Sequence, residues 1–128
     1  MSDAETHAIA AVFQDAAQCI ALFASVRPRI EALGVVELRV TRTQVAFRAA
    51  RRQFAWTWRP ARWTGNRPEH SIVVSFALDT RVDDARIVEA TAIPSDRWMH
   101  HIVVEREADI DDTVMGWLEA AYAAAAGG

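Results

Sequence analysis

The spacing of apolar residues predicts helices at both ends of the chain and strands between them. Before residue 34 the apolar residues recur at intervals of three and four, the period of a helix with one buried face. They are Ile9, Val12, Phe13, Ile20, Phe23, Val26, Ile30 and Leu33. Pro28 lacks the amide hydrogen that a helix interior uses, so we expect either a kink or two short helices. Gly34 has the position of a glycine that ends a helix.

Between residues 35 and 105 apolar and polar residues alternate, which is the pattern of strands with one buried face. The alternating segments are 36–41, 45–48, 54–59, 72–78, 87–92 and 98–105. Most of the spacers are too short for the crossover that parallel strands need, so the pattern predicts an antiparallel meander. The long gap at residues 60–69 contains Trp63 and Gly65 and is predicted to be a surface loop.

The end of the chain returns to the period of a helix. Asp109, Asp111 and Asp112 provide an N-cap and negative charge at its start. Its apolar face is formed by Ile110, Val114, Trp117, Leu118 and Ala121. The alanine and glycine tail at 124–128 is expected to fray. The prediction is therefore a single α+β domain over residues 1–128, with one antiparallel sheet of about five to six strands and the N- and C-terminal helices packed on one face.

Composition agrees with one small domain. The chain has 128 residues and is 52% apolar, enough for a single hydrophobic core. We expect neither a membrane span, which needs roughly 18–20 apolar residues, nor a secretory signal. The only cysteine, Cys19, cannot form an internal disulfide and has the position of a small buried residue, so a cytoplasmic location is predicted.

The charge is unevenly distributed along the chain. The net charge is −3 and every basic residue is arginine, but residues 27–67 contain ten arginines and two acids, a local charge of +8. A GC-rich codon bias explains the absence of lysine, although it does not explain the clustering. Arginine clusters also suit bidentate binding of carboxylate or phosphate. The negative total disfavours nucleic-acid binding, which the local cluster still allows.

The sequence contains none of the common catalytic, phosphate-binding or metal-binding motifs, so no catalytic residue, metal or cofactor is predicted. His100 and His101 are neighbours in the last strand and must face opposite sides of the sheet. One imidazole is expected in the core and the other on the open face, in an order that the sequence does not decide. Each is interpreted as a structural histidine or, alternatively, as a group that transfers a proton or contacts a ligand.

The densest aromatic segment, residues 53–60, allows two interpretations. Phe54, Trp56 and Trp58 are either the buried face of a central strand or the wall of a ligand pocket. Arg48 and Arg59 lie opposite the apolar residues of their strands and, with Arg39, would form a basic patch on the face away from the helices. The candidate binding residues are therefore Arg48, Trp58, Arg59, His100 and His101.

Several blocks of sequence, taken in order, resemble a known family. They are Leu33-Gly34, residues 40–48, residues 54–60, residues 97–101, Asp111-Asp112 and residues 117–122. They are similar to the domain-of-unknown-function family numbered 5655, over residues 16–123. The resemblance implies a small bacterial or archaeal α+β domain and implies no activity or cofactor. Longer members have a Lys-Tyr pair where this chain has Gln44-Val45, so a role that depends on that tyrosine would be absent here.

These observations favour a non-catalytic binding module for an anionic small molecule or an acidic segment of a partner. The alternative is a homodimeric structural or protein-interaction domain, because the edge strands of such a sheet need protection. A nucleic-acid accessory protein and a histidine-dependent enzyme are the remaining hypotheses.

Overall fold

The structure, a computed structural model, describes residues 2–60 and 71–127. The described residues form one six-stranded antiparallel sheet with helices on one face, so the predicted α+β fold is confirmed. The elements are α1 (Asp3–Val12), α2 (Ala17–Glu31), β1 (Glu37–Val40), β2 (Val45–Arg48), β3 (Gln53–Trp58), β4 (Ile72–Leu78), β5 (Ile87–Ile93), β6 (Arg97–Val104), a 3₁₀ turn (Glu107–Asp109) and α3 (Asp112–Ala126). Apart from Pro60, the loop predicted at 60–69 lies outside the described residues.

The N-terminal region is two helices rather than one kinked helix. The break lies at Gln14 and Asp15, whose positive φ values of 54° and 59° turn the chain between α1 and α2. Pro28 is accommodated within α2. In the described part of the chain no single helix is long and apolar enough to cross a membrane; α1 and α2 reach that length only when counted together, and they are bent by 116°.

The sheet departs from a simple meander at its last two strands. Its order is β1-β2-β3-β4-β6-β5, so β6 lies between β4 and β5. The prediction of a meander is therefore wrong at this point. The physical reason is burial: β6 places His100, Ile102 and Val104 in the interior, whereas β5 has exposed residues along its length. The strand that buries more takes the inner position, and β5 becomes an edge.

A bulge in β3 decides which aromatic residues face the helices. Phe47 pairs with Ala55 and Arg48 pairs with Gln53, so Phe54 is an extra residue in the ladder. Phe54 and Ala55 are both buried in the core, and the alternation then sends Trp56 to the other face. The interpretation of all three aromatic residues as one buried face is therefore wrong.

The C-terminal helix begins as predicted and continues further than predicted. The Asp111 carboxylate accepts a hydrogen bond from the Val114 amide at 3.0 Å, which confirms the N-cap. The helix runs to Ala126, and Ala125 is buried with its carbonyl bonded to the Arg51 amide. α2 ends at Glu31, before Gly34, so Gly34 does not terminate it.

Candidate functional site

Six residues lie directly opposite one another on the face of the sheet away from the described helices. We call it the open face, although its β4 positions, among them Val73 and Ser75, are buried. Strand pairing places one residue from each strand in this row. In order across the sheet they are Arg39, Ala46, Trp56, Ser75, His101 and Glu89. With strands about 4.8 Å apart, the row is about 24 Å long. It has a positive end at β1, a negative end at β5 and aromatic groups around a small hydroxyl in the middle.

The middle of the row is a depression that we call the Ser75 slot. Trp56 and Trp58 of β3 form one wall, and Met99 and His101 of β6 form the other, with Gln44 at the rim. The walls belong to strands on either side of β4, about 10 Å apart at the backbone. Ser75, on β4 between them, is small and 2% exposed, and it forms the floor. The slot has a volume of about 350 Å³.

Hydrogen bonds fix the walls of the slot. The Trp58 indole N–H donates to Ser75 Oγ at 3.0 Å, and Ser75 Oγ lies 2.6 Å from His101 Nδ1. The Trp58 and His101 rings meet edge to face, with centroids 5.9 Å apart. The Trp56 indole N–H donates to the Gln53 side-chain oxygen at 3.0 Å. Because both indole N–H groups are bonded within the protein, the tryptophans contribute ring surface to the slot rather than hydrogen-bond donors.

The same network favours a neutral His101. Ser75 Oγ accepts from Trp58, so its own hydroxyl hydrogen can be donated to His101 Nδ1. This assignment leaves the imidazole proton on Nε2. Burial lowers the pKa of His101, and His100 lowers it further, while the Glu89 carboxylate acts in the opposite direction. In this tautomer Nδ1 accepts from Ser75 and Nε2 carries the hydrogen, so the imidazole acts toward a ligand as a donor.

The contact between Ser75 and His101 orients the imidazole rather than activating a nucleophile. Ser75 lies in the middle of β4, which pairs with β3 on one side and β6 on the other. The surrounding amide N–H groups belong to these ladders, so they are not directed at an oxyanion in the slot. Among the described residues, the hydrogen bonds of Ser75 therefore hold the Trp58 and His101 side chains in place.

His100 lies on the opposite face, which settles the order that the sequence left open. Its ring is fully buried and stacks on Phe76 at 5.2 Å, and its Nε2 accepts a hydrogen bond from the Val82 amide at 2.9 Å. Burial lowers the pKa of His100, and Arg81 lowers it further. His100 is therefore a neutral core residue that holds the segment before β5 against the sheet.

The lowered pKa of His100 predicts acid sensitivity. As the pH is lowered below about 6.5, the unfolded chain binds a proton at this histidine before the folded protein does. The free energy of unfolding therefore decreases by up to about 1.4 kcal/mol for each pH unit of acidification, for each histidine with a lowered pKa. His100→Gln keeps an acceptor for the Val82 amide and does not titrate. Urea unfolding at pH 7.5 and 5.0 should show a smaller loss of stability in this variant than in the wild type. The exposed control His7→Gln should behave as the wild type, and equal losses in all three proteins would contradict the prediction.

The structure brings two of the three predicted arginines together. Arg39 and Arg48 both lie exposed on the open face at β1 and β2, where Arg48 is opposite Glu37. With Leu38 these residues line a second depression, of about 430 Å³, which we call the arginine corner. Arg59 lies elsewhere: its guanidinium donates to the Gln14 side-chain oxygen at 2.6 Å, on the side of the helices.

The slot also contains residues that the sequence did not single out, namely Ser75, Met99 and Gln44. The available signal was Ser75 itself, a small polar residue within an otherwise apolar strand. Cys19, by contrast, is buried as expected, and burial raises the pKa of its thiol. In the described part of the chain no three His, Cys, Asp or Glu side chains are grouped so as to hold a metal ion.

Fold and site together define a small α+β domain with an aromatic depression on the face of an antiparallel sheet opposite the described helices. The chain belongs to the family described as "Domain of unknown function (DUF5655)", whose model matches residues 9–125. The match includes all six strands, α2 and most of α3, and it confirms the resemblance seen in the sequence blocks. No curated protein and no solved structure matches the chain.

Proposed function

We propose that this domain is a binding module for a small molecule with a planar ring, which is held in the Ser75 slot. The observation that carries the proposal is the slot itself, which is lined by two fixed indoles, a thioether and an imidazole. The Trp58 and His101 rings are in contact beside the Ser75 hydroxyl, and Trp56 and Met99 complete the lining. Its volume of about 350 Å³ lies within the usual range for ligand pockets, about 300–1,000 Å³. The site combines apolar walls with a few placed polar groups, as such pockets do.

The chemistry of the walls supports a ring rather than a flexible polar molecule. The tryptophans supply surfaces on which a ring stacks, and the Met99 thioether makes favourable contacts with aromatic groups. His101 and Gln44 provide the hydrogen-bonding groups that would orient the ring. A rigid ring loses little conformational entropy on binding, which favours it in a shallow site.

The test uses indole-3-butyramide, a neutral ring probe, and titration calorimetry. Trp56→Leu removes one stacking surface, so we expect the affinity for the probe to fall at least about fivefold, which corresponds to about 1 kcal/mol. Trp98→Leu is the matched control. Trp98 is a half-buried tryptophan on β6 that faces the helix side, where Arg81 packs over its ring at 5.8 Å.

The control should bind the probe as tightly as the wild type. Absence of binding to a folded wild-type protein at millimolar probe would contradict the proposal. So would an equal loss in Trp56→Leu and Trp98→Leu, because the effect would then follow the loss of a tryptophan rather than the slot.

Self-association is a second candidate function, and the edge strand β5 favours it. β5 has seven residues and contains a single charged side chain, Glu89. An edge with so little charge is suited to antiparallel pairing with a second copy about a two-fold axis. Light scattering should then give twice the 14.2 kDa of one chain. Thr91→Lys on the edge should restore the monomer while the exposed helix control Thr113→Lys should not; a wild-type monomer would contradict this candidate.

A further inference from the structure

We propose that the ring bound in the Ser75 slot carries a carboxylate that Arg39 and Arg48 bind in the arginine corner, so that the ligand class is an aromatic acid. This inference rests on the proposed function of the slot. It extends that function from a ring to a ring with a charged group at a defined position on the same face.

Arg39 and Arg48 lie on neighbouring strands, and neither forms an ion pair with a described residue. Arg39 and Arg48 are diagonal neighbours across β1 and β2, a pairing with Cα atoms about 7–8 Å apart. Within residues 2–60 and 71–127 the ion pairs are made by Arg27, Arg86 and Arg106, and neither residue of the corner takes part. A bound carboxylate would relieve the repulsion between the two cations and can accept hydrogen bonds from both.

The balance of charge in the corner suits a single negative charge. Glu37 lies opposite Arg48 and beside Arg39 in the same depression. Two guanidiniums and one carboxylate leave a net charge of +1, which one ligand carboxylate neutralises. A doubly charged phosphate would leave an excess of negative charge beside Glu37, so the corner favours the carboxylate.

The smallest side chain of the row separates the slot from the corner. It is Ala46, which lies between Arg39 and Trp56 in the row and is buried. Arg39 and Trp56 are two strand spacings apart, about 10 Å. A linker of a few methylene groups, together with the length of the arginine side chain, can cross this distance.

The two ends of the row give the ligand a direction. Glu89 is opposite His101 at the β5 end and would repel an acid placed there. Arg39 attracts the same acid at the β1 end. The carboxylate should therefore point toward β1, with the ring over Ser75.

The experiment compares indole-3-butyrate with indole-3-butyramide, which share the ring and the linker. The wild type should bind the acid at least about fivefold more tightly than the amide, since hydrogen bonds from a guanidinium to a charged acceptor are stronger than those to a neutral one. Arg39→Gln and Arg48→Gln should each reduce the affinity for the acid and leave the amide unchanged. Arg51→Gln removes the same charge in the β2–β3 turn, where the Arg51 backbone contacts α3, and should leave both affinities unchanged. Added salt should weaken binding of the acid only.

The outcomes separate this inference from the proposed function. Equal binding of acid and amide by the wild type would overturn the aromatic-acid inference and leave the ring-binding slot intact. An equal effect of Arg51→Gln and Arg39→Gln on the acid would also overturn it, because the charge would then act through the net charge of the domain. If neither probe bound, the proposed function itself would fail.

Discussion

Replacing Phe76 by alanine is expected to lower the free energy of unfolding by about 3–5 kcal/mol. Its fully buried ring lies between the His100 ring at 5.2 Å and the Trp117 ring at 5.6 Å. The cavity cannot close easily, because β4 is paired on both sides and α3 packs above it. Domains of this size are stable by about 5–15 kcal/mol, so the variant should be close to unfolding.

Urea denaturation followed by circular dichroism measures this loss. Val35→Ala is the control, because Val35 is 83% exposed and its truncation should change the free energy of unfolding by less than about 0.5 kcal/mol. A loss below about 1 kcal/mol for Phe76→Ala would show that the ring does not hold the sheet, the C-terminal helix and His100 together as described.

The second large effect concerns Gly34, where a single added methyl group has no room. A Cβ at this position would overlap the Tyr122 hydroxyl oxygen and lie 2.5 Å from Cζ of that ring. The Tyr122 ring is held edge to face by Phe54, with centroids 5.4 Å apart. We therefore expect Gly34→Ala to lower the free energy of unfolding by about 1–3 kcal/mol, the usual cost of overpacking.

Two comparisons isolate this clash. In a Tyr122→Leu background the cost of Gly34→Ala should largely disappear, so a double-mutant cycle should give a coupling energy of similar size. Gly116→Ala is the matched control: Gly116 lies in α3 with open space around it, and alanine there should stabilise the helix by about 0.5–1 kcal/mol. A neutral or stabilising Gly34→Ala would contradict the close packing of Tyr122 in α3 against the segment between α2 and β1.

Local pattern was sufficient to predict most of the elements. The change of period from helix to strand and back is a property of neighbouring residues, as is the cap that Asp111 provides for α3. The order of the strands in the sheet could not be predicted from local pattern. β5 and β6 exchange places because β6 buries more, and that competition depends on the assembled sheet rather than on either segment alone.

In the candidate site, too, some positions follow from local pattern and others do not. Alternation correctly places Met99 and His101 on one face, because β6 is regular along this part. Alternation places Trp56 and Trp58 on the wrong face because Phe54 is an extra residue in β3. One extra residue moves every later side chain of the strand to the opposite face of the sheet. No pattern within β3 could show that Arg59, just beyond the strand, would reach Gln14 between the two N-terminal helices.

The central claim is that a ring binds on the open face of the sheet, and the indole N–H resonances of the five tryptophans test it most directly. During titration with indole-3-butyrate, the account predicts that the signals of Trp56 and Trp58 shift in a saturable way. The signal of Trp117, which stacks on Phe76 on the helix side, should remain in place. Unchanged Trp56 and Trp58 signals, or an equal shift of Trp117, would contradict it.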